Sequence, residues 1–263
     1  MESTNSNNKY NFLFVFLIEN KNRSKYEKKS FSYHKKGQAR HWWFAARREI
    51  FYRIIKKENQ GKEIEVLDYG CGVGANFSVL QKLTKNKLSI FDTNKKLEKE
   101  LVLKYNVKKM INSKKYDLIF CTDVLEHIEN DKVAFVKIVN KLKKNGILLI
   151  TVPAYNYLFS EKDVYLMHYR RYNKKNLKHL IESQKEKIEI KKFTYFNFFL
   201  FIPIAAIILF HKIFNIKLTE KAQAVPTSLL NYLFKKIFSF EKFLLTGTTL
   251  SLGLSLLVVV KKT

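Results

Sequence analysis

Short apolar runs alternate with lysine-rich amphipathic segments between residues 64 and 152. This pattern is typical of strands and helices that alternate around a parallel sheet. It predicts helices at Asn76–Leu83, Lys95–Lys104 and Asp131–Lys143, with Asn145-Gly146 as the stop signal after the third. The predicted strands are EIEVLDYG, KLSIFD, VKKMI, YDLIFCTD and GILLITVP.

The pattern changes after Pro153. A Tyr-, Arg- and Lys-rich segment predicts a surface excursion at 154–173 over the carboxyl edge of the sheet, followed by a helix at 174–182. IEIKKFTYF and GLSLLVVVKK predict two further strands. Between them lie an uncharged run, FNFFLFIPIAAIILF, and a lysine-spaced amphipathic stretch, TSLLNYLFKKIFSFEKFLL.

A chain of 263 residues is long enough for one large α/β domain with attachments. We predict a flexible tail at 1–30 and a helical lid at 31–62. The core is expected at 63–195, an apolar helical insertion at 196–246, and the final strand of the sheet at 247–263.

The net charge is +26, from 49 Lys and Arg against 23 Asp and Glu. Such a charge favours anionic partners, including phospholipid headgroups, prenyl phosphates and nucleic acid, without choosing among them. The two cysteines, Cys71 and Cys121, give neither a disulfide framework nor metal-type spacing. The N-terminal run FLFVFLI lacks the charged flank and cleavage site of a signal peptide. We therefore expect a cytoplasmic protein.

The stretch VLDYGCGVGAN is a glycine loop that two classes of cofactor site share. Gly70, Gly72 and Ala75 satisfy the dinucleotide pattern, and Asp92 follows about twenty residues later. Asp68 opposes that alternative, because a carboxylate beside a pyrophosphate is repelled strongly. S-adenosylmethionine carries a sulfonium and an ammonium group and no phosphate, so a carboxylate at the loop favours it.

EVLDYGCGVG, SIFD, YDLIFCTDVLEH and NGILLITVP, in this order, resemble a class I S-adenosylmethionine-dependent methyltransferase over about residues 64–153. The resemblance implies a Rossmann-like seven-stranded sheet whose last strand, GLSLLVVVKK, runs antiparallel. It also implies S-adenosylmethionine as the cofactor. Asn112 departs from the pattern, because many members have an acidic residue there that binds the adenine. The implied cofactor-binding residues are Asp68, Gly70, Cys71, Gly72, Gly74, Asp92, Thr93, Asn112, Thr122 and Asp123.

The segment DVLEHIEN has three interpretations. Asp123 and Glu126 have the spacing of a helix capping box, which explains both without any chemistry. His127 is a candidate catalytic base, because an ordinary imidazole pKa of about 6.5 suits proton removal from a hydroxyl. The three residues also resemble an acidic, acidic, His cluster of some quinone O-methyltransferases, but this spacing is common by chance. We assign no metal from the sequence.

Two aromatic and arginine clusters are candidates for acceptor binding. In HWWFAARRE, helical spacing puts Trp43 and Arg47 on one side, which suits either a packing helix or a lid that covers the cofactor and contacts an anionic acceptor. In the second cluster, YLMHYRRY, the arginines suit a phosphate, and His168 is an alternative catalytic base. An exposed basic loop is the other interpretation. The acceptor candidates in YLMHYRRY are Arg170, Arg171 and Tyr172.

The two clusters resemble a bacterial subgroup linked to cell-surface glycan and polyprenyl or quinone lipid metabolism. The run at 196–210 is short for a bilayer span and contains Pro203. A single crossing would also separate the last strand from its sheet. We therefore predict monotopic or peripheral attachment at the inner membrane face, with lysines towards anionic lipids.

The sequence thus predicts a methyltransferase that acts on a lipid-like or lipid-linked acceptor such as a polyprenyl, quinone or glycan lipid, at oxygen. An RNA methyltransferase is a first alternative, although no appended RNA-binding module is visible. A nicotinamide-dependent oxidoreductase is disfavoured by Asp68. A non-catalytic membrane-docking protein that retains the cofactor fold is the last alternative. The sequence does not indicate the oligomeric state.

Overall fold

The computed structural model of the protein describes residues 40–59, 63–84, 87–214 and 226–263. The predicted tail at 1–30 and the start of the predicted lid lie outside these residues. Seven strands form one sheet in the order β3-β2-β1-β4-β5-β7-β6. The strands are β1 Val66–Tyr69, β2 Leu88–Phe91, β3 Lys108–Lys109, β4 Tyr116–Thr122, β5 Leu142–Pro153, β6 Ile188–Phe196 and β7 Ser255–Lys262.

Helices cover both faces of this sheet. Two single-turn 3-10 helices, Leu125–His127 and Asn156–Leu158, follow β4 and β5. The α-helices are α1 Trp42–Asn59, α2 Phe77–Leu83, α3 Lys95–Tyr105, α4 Asp131–Asn140, α5 Glu161–Tyr165, α6 Lys174–Glu182, α7 Phe201–Ile213 and α8 Ser228–Leu244.

The direction of the strands fixes where the site lies. β1 pairs in parallel with β2 and β4, and β4 pairs in parallel with β5. β7 is antiparallel to both β5 and β6, so β6 runs in the same direction as β5. The predicted seven-stranded sheet with an antiparallel last strand is confirmed. The carboxyl ends of β1, β2, β4, β5 and β6 therefore meet at one edge, where ligands bind in such sheets.

Helix α1 is part of the core. The Phe51 ring lies 6.0 Å from that of Phe120 in β4 and 6.1 Å from that of Phe196 in β6, between ring centroids. Ala46 and Ile50 on the same helix are fully buried. Burial of side chains of this size contributes roughly 1.5–3 kcal/mol each. The helix is thus held firmly against the sheet.

The boundary between α4 and β5 differs from the prediction. The sequence predicts a helix to Lys143 and a strand from Gly146, but α4 ends at Asn140 and β5 begins at Leu142. Leu142 pairs with Tyr116, and the register then shifts so that Ile147 pairs with Leu118. Asn145, at φ 63°, lies in the resulting bulge. The Asn-Gly pair therefore bends a strand and does not stop a helix.

Helix α8 packs along α1. The Trp42 ring meets Phe234 and Phe238 edge-on at 5.6 and 5.8 Å between ring centroids. The Asn231 side chain accepts a hydrogen bond from Trp42 N at 2.8 Å and donates one to Arg40 O at 2.8 Å. A side chain from α8 thus caps the start of α1.

Helices α7 and α8 leave much apolar surface exposed. Within the described residues, no helix is both long and apolar enough to span a bilayer. The large apolar side chains with more than 40% exposure include Ile202, Ile207, Phe210 and Ile213 on α7, and Leu229, Leu230, Tyr232, Leu233, Phe240 and Phe243 on α8.

Candidate active site

The glycine loop follows β1 and has an open side. Gly70, Gly72 and Gly74 have φ values of 74°, 52° and 84°, a region that favours glycine. A Cβ atom on Gly70 would lie 2.5 Å from a Val124 methyl group, so packing also requires glycine there. A Cβ atom on Gly72 would meet nothing within 4 Å. The open backbone at Gly72 is where a ligand can approach closely.

Asp68 is a buried carboxyl at the base of this loop. Its Oδ1 accepts a hydrogen bond from Asn76 Nδ2 at 3.4 Å, and Asn76 also donates to Thr122 Oγ1 at 2.9 Å. Among the described residues, Oδ2 of Asp68 has no hydrogen-bond partner. Burial raises the pKa of Asp68 to about 7; the Asn76 bond opposes the rise, and the Asp92 carboxylate adds to it. The site therefore provides a carboxyl oxygen without a hydrogen-bond partner among the described residues.

Asp92 directly follows β2 and contacts the glycine loop. Its Oδ2 accepts a hydrogen bond from Gly72 N at 2.9 Å, and its Oδ1 accepts one from Asn94 N at 2.9 Å. Thr93 beside it is exposed. Cys71 is buried, and burial raises the pKa of its thiol, so it is not a nucleophile at neutral pH. The structure thus brings together all the predicted residues of the first two strands.

Asp123, at the end of β4, is held by helix α1. It has φ 55°, and its carboxylate pairs with the Arg47 guanidinium and accepts a hydrogen bond from Thr151 Oγ1 at 3.0 Å. The guanidinium carbon of Arg47 lies 4.2 Å from the centroid of the Trp43 ring. Arg47 is 3% exposed. Its predicted contact with an anionic acceptor is therefore replaced by a structural ion pair at the edge of the site.

The capping-box interpretation of Asp123 and Glu126 is wrong. The 3-10 helix at Leu125–His127 has no side-chain cap, and α4 begins later, with Asn130 Oδ1 accepting from Val133 N. Glu126 is fully buried, and neither of its carboxylate oxygens has a hydrogen-bond partner among the described residues. Burial raises its pKa well above the usual range. Within the described residues, no hydrogen bond offsets the cost of burying this carboxyl.

The two predicted histidines lie together beside Glu126. The His127 and His168 rings are 4.6 Å apart between centroids and nearly perpendicular. Nδ1 of His168 lies 2.9 Å from Oδ1 of Asp163, which also accepts a hydrogen bond from Arg171 Nε at 2.8 Å. These contacts hold the pKa of Asp163 well below its usual range. An ionised Asp163 therefore fixes the His168 ring.

The arginines of YLMHYRRY already have protein partners. Arg171 is 8% exposed, bound to Asp163 and to Ala154 O at 3.3 Å. Arg170 pairs with Asp131 at 2.9 Å, and the buried Tyr172 donates its hydroxyl to the same carboxylate at 2.8 Å. In the structure, Arg171 holds the excursion together internally, and Arg170 and Tyr172 fasten it to α4. Contact of these side chains with an acceptor phosphate stays a prediction.

The contact that Asn112 makes is not with the residues of the glycine loop. Its backbone carbonyl accepts a hydrogen bond from Lys141 Nζ, and Lys141 precedes the amino end of β5. The glycine loop is at the carboxyl end of β1. Adenine binding by Asn112 stays a prediction.

Sequence reasoning missed three residues of the site: Asn76, Thr151 and Asp163. Asn76 precedes α2 and is indistinguishable from a helix cap in the sequence. Asp163 forms a capping box with Ser160, and this spacing is the one signal in the sequence that could have drawn attention to Asp163. Its contacts to residues five and eight positions later arise from the fold of the excursion.

The sheet order, the glycine loop after β1 and the acid after β2 define a class I S-adenosylmethionine-dependent methyltransferase. A family described as a methyltransferase domain matches residues 33–187, more than half of the chain. The chain belongs to this family. The cofactor is therefore S-adenosylmethionine, and the dinucleotide alternative is set aside.

Curated relatives match part of the chain. A ubiquinone biosynthesis O-methyltransferase of Rickettsia bellii (strain OSU 85-389) is 29% identical over 113 residues, 39% of this chain and 47% of that protein. The protein of the same name from Pelagibacter ubique is 31% identical over 114 residues, 38% of this chain and 46% of its own length. This chain spans about half the length of the curated relatives that it matches.

Solved structures resemble the whole fold. The plantazolicin methyltransferase BamL, in complex with a triazolic desmethylPZN analog and SAH, has a TM-score of 0.56 and 16% identity, over 93% of this chain and 92% of that chain. The plantazolicin methyltransferase BpumL in complex with SAH has a TM-score of 0.55 and 13% identity, over 97% of this chain and 99% of that chain. At this identity the likeness shows the fold alone.

The residues at the loop fit the cofactor. The open side of Gly72 accommodates a bound molecule, and the unsatisfied oxygen of Asp68 suits a ligand that carries an ammonium group. Bound there, the cofactor supplies a methyl group on a sulfonium. The chain's own residues would then align the acceptor with that methyl group.

Proposed function

We propose that the protein transfers the methyl group to an oxygen of a lipid-like or lipid-linked acceptor. The observation that carries this proposal is the apolar surface that begins at the site edge. Tyr155 follows β5, stacks on Tyr195 at 5.2 Å and 9°, and lies 5.4 Å from Phe201 at the start of α7, between ring centroids. From Phe201 the exposed face of α7 continues through Ile202 and Ile207. This surface suits an acceptor with an apolar tail.

The matched relatives support an oxygen acceptor. Both are named O-methyltransferases of ubiquinone biosynthesis, and a quinone precursor is a ring with a long apolar tail. A hydroxyl acceptor has to lose a proton during the transfer. His127 and His168, at the carboxyl edge of the sheet, form the centre at which we place that proton removal. Asp163 orients His168 through Nδ1.

We also propose that α7 and α8 dock on the inner face of an anionic membrane. Exposed apolar side chains on both helices are accompanied by the exposed Lys236 on α8. The net charge of +26 complements anionic headgroups. Docking would deliver a membrane-resident acceptor along α7 to the site.

One assay tests both parts. Transfer of labelled methyl is measured to a prenylated phenol in phosphatidylglycerol vesicles and to its tail-free, water-soluble counterpart. The double variant Ile202→Glu, Ile213→Glu changes two side chains that are each 75% exposed. Each substitution should remove roughly 1.5–3 kcal/mol of favourable burial in the membrane. Methyl transfer to the vesicle-bound acceptor should therefore fall more than tenfold, and transfer to the soluble acceptor should change little.

Leu103→Glu is the matched control, since Leu103 is also 75% exposed but lies on α3. It should retain activity with both acceptors. Equal kcat/KM for the tailed and tail-free phenols would contradict the lipid-like acceptor. Equal vesicle activity of the double variant and the control would contradict docking through α7.

A further inference from the structure

We infer that Glu126, His127 and His168 form a binding site for one divalent transition-metal ion. Each residue offers one ligand atom, and these atoms lie within 4.8 Å of one another. Ligand atoms about 2.0–2.2 Å from a shared ion lie roughly 3–3.6 Å apart, so the side chains would move about 1 Å closer together to hold one ion. A carboxylate with two imidazoles is a typical donor set for zinc, cobalt, nickel or ferrous iron.

Glu126 is the independent observation that indicates a ligand. It is 0% exposed, and both of its oxygens have no hydrogen-bond partner in the part of the chain that the structure describes. A buried carboxyl in this state is costly unless it is protonated, paired or bound to a metal. An ion between Glu126 and the histidines would satisfy it.

His168 is already oriented as metal-binding histidines are. Its Nδ1 lies 2.9 Å from the buried carboxylate of Asp163, and Asp163 is itself held by Arg171. In metal sites, a carboxylate at one imidazole nitrogen fixes the ring and directs the other nitrogen to the ion. The structure thus provides this outer contact for His168.

The geometry selects a set different from the one that the sequence suggests. Asp123 has the right spacing for a third ligand with Glu126 and His127, but its carboxylate is occupied by Arg47 and Thr151. His168 takes its place, although it lies forty-one positions beyond His127. The helical excursion after β5 brings it there.

The catalytic role of the ion rests on the proposed function, whereas its binding does not. An ion held by these residues would lower the pKa of an acceptor hydroxyl, so that the hydroxyl would give its proton to water, its oxygen would take the methyl group and SAH would leave. The histidines then act as ligands. This chemistry suits a phenol or catechol acceptor.

Cobalt binding tests the site without any activity measurement. Untagged protein, stripped with a chelator, is titrated with Co2+ and followed by the visible absorption of nitrogen-coordinated cobalt and by calorimetry. We expect one ion per chain. Glu126→Gln and His168→Gln should each weaken binding at least tenfold, and Asp163→Asn should weaken it about 10–100-fold through the His168 ring.

His179→Gln is the matched control, because His179 is an exposed histidine on α6. It should keep the wild-type affinity, and so should Asp123→Asn. Circular dichroism and SAH binding check that each variant is folded, and His168→Gln remains informative if Glu126→Gln does not fold. Absence of stoichiometric binding, or wild-type affinity in folded Glu126→Gln or His168→Gln, would overturn the inference. So would an equal loss in Asp123→Asn. SAH binding without cobalt binding would leave the proposed function standing.

Discussion

At the scale of single residues, the Asp68 carboxyl links cofactor binding to pH. Its pKa is raised to about 7 by burial, so much of it is protonated near neutrality in the cofactor-free protein. An ammonium group on the ligand needs the ionised form. Binding therefore has to release the proton whenever the pH is below about 7.

We predict that the Kd for SAH rises about tenfold for each pH unit below 7 and is level above it. Calorimetry from pH 5.5 to 8.5 measures this. Asp68→Asn should bind weakly and without that slope. Asp117→Asn, a carboxyl that accepts from Glu65 N away from the loop, should behave as wild type. A slope that persists in Asp68→Asn would assign the proton to another group.

Single residues also show where sequence reasoning ends. Asp68, Gly70 and Gly72 lie within five consecutive residues. The glycine loop and this acidic residue could therefore be predicted from the local sequence. In the sequence, Glu126 has the spacing of a helix-cap residue, and Arg171 lies in a motif that suits a phosphate. The contacts of both side chains, however, depend on the folded structure. Arg171 meets Asp163 only because the excursion turns back on itself, and no spacing rule conveys that.

At the scale of elements, Glu241 on α8 fastens the start of the apolar insertion. Its carboxylate accepts hydrogen bonds from Asn197 N and Phe198 N at 2.7 Å each, and from Phe199 N at 3.3 Å. Asn197 has φ 60°, so the chain turns sharply at the end of β6. Burial raises the pKa of Glu241 to about 7, against the effect of these bonds.

A carboxyl whose pKa is raised on folding destabilises the fold as pH rises. The contribution of Glu241 to the free energy of unfolding is therefore largest below about pH 4.5, and it declines as the pH rises to about 7. Because a pKa shift of one unit corresponds to about 1.36 kcal/mol, this decline in the free energy of unfolding is at most roughly 3 kcal/mol. We predict that Glu241→Gln removes this part of the slope, measured by urea unfolding at pH 5 and pH 8.

Glu182→Gln, at an exposed position on α6, is the control and should keep the wild-type slope. An unchanged slope in Glu241→Gln would show that this carboxyl is ionised in both states. The sequence predicted an amphipathic α8 but not this contact, because Glu241 looks like one of the charges on a solvated face. Its three donors are more than forty residues earlier.

At the scale of the whole molecule, the hydrophobic pattern predicted strands and helices that alternate around a parallel sheet, and the family resemblance added the seven strands and the antiparallel last strand. The position of β7 between β5 and β6 was not predicted and is seen only in the structure. The pattern could not show that α8 lies on α1, since the two are almost two hundred residues apart. Asn231 and Trp42 carry that contact.

This packing connects the apolar surface to the site. Helix α1 joins α8 at Trp42 and reaches Asp123 through Arg47, and Arg48 donates to Ala75 O in the glycine loop at 3.2 Å. The glycine loop, helix α1 and helix α8 are thus one connected structure. The central claim is that this structure binds S-adenosylmethionine at Asp68 and Gly72.

Thermal unfolding with SAH and with NADH, each in large excess, tests that claim most directly. A ligand at about a hundred times its Kd adds roughly 2.7 kcal/mol, which should raise the Tm by about 5–10 °C for a protein of this size. We predict this rise with SAH, no rise with NADH, and a much smaller SAH effect in Gly72→Ala. A rise with NADH alone would contradict the account.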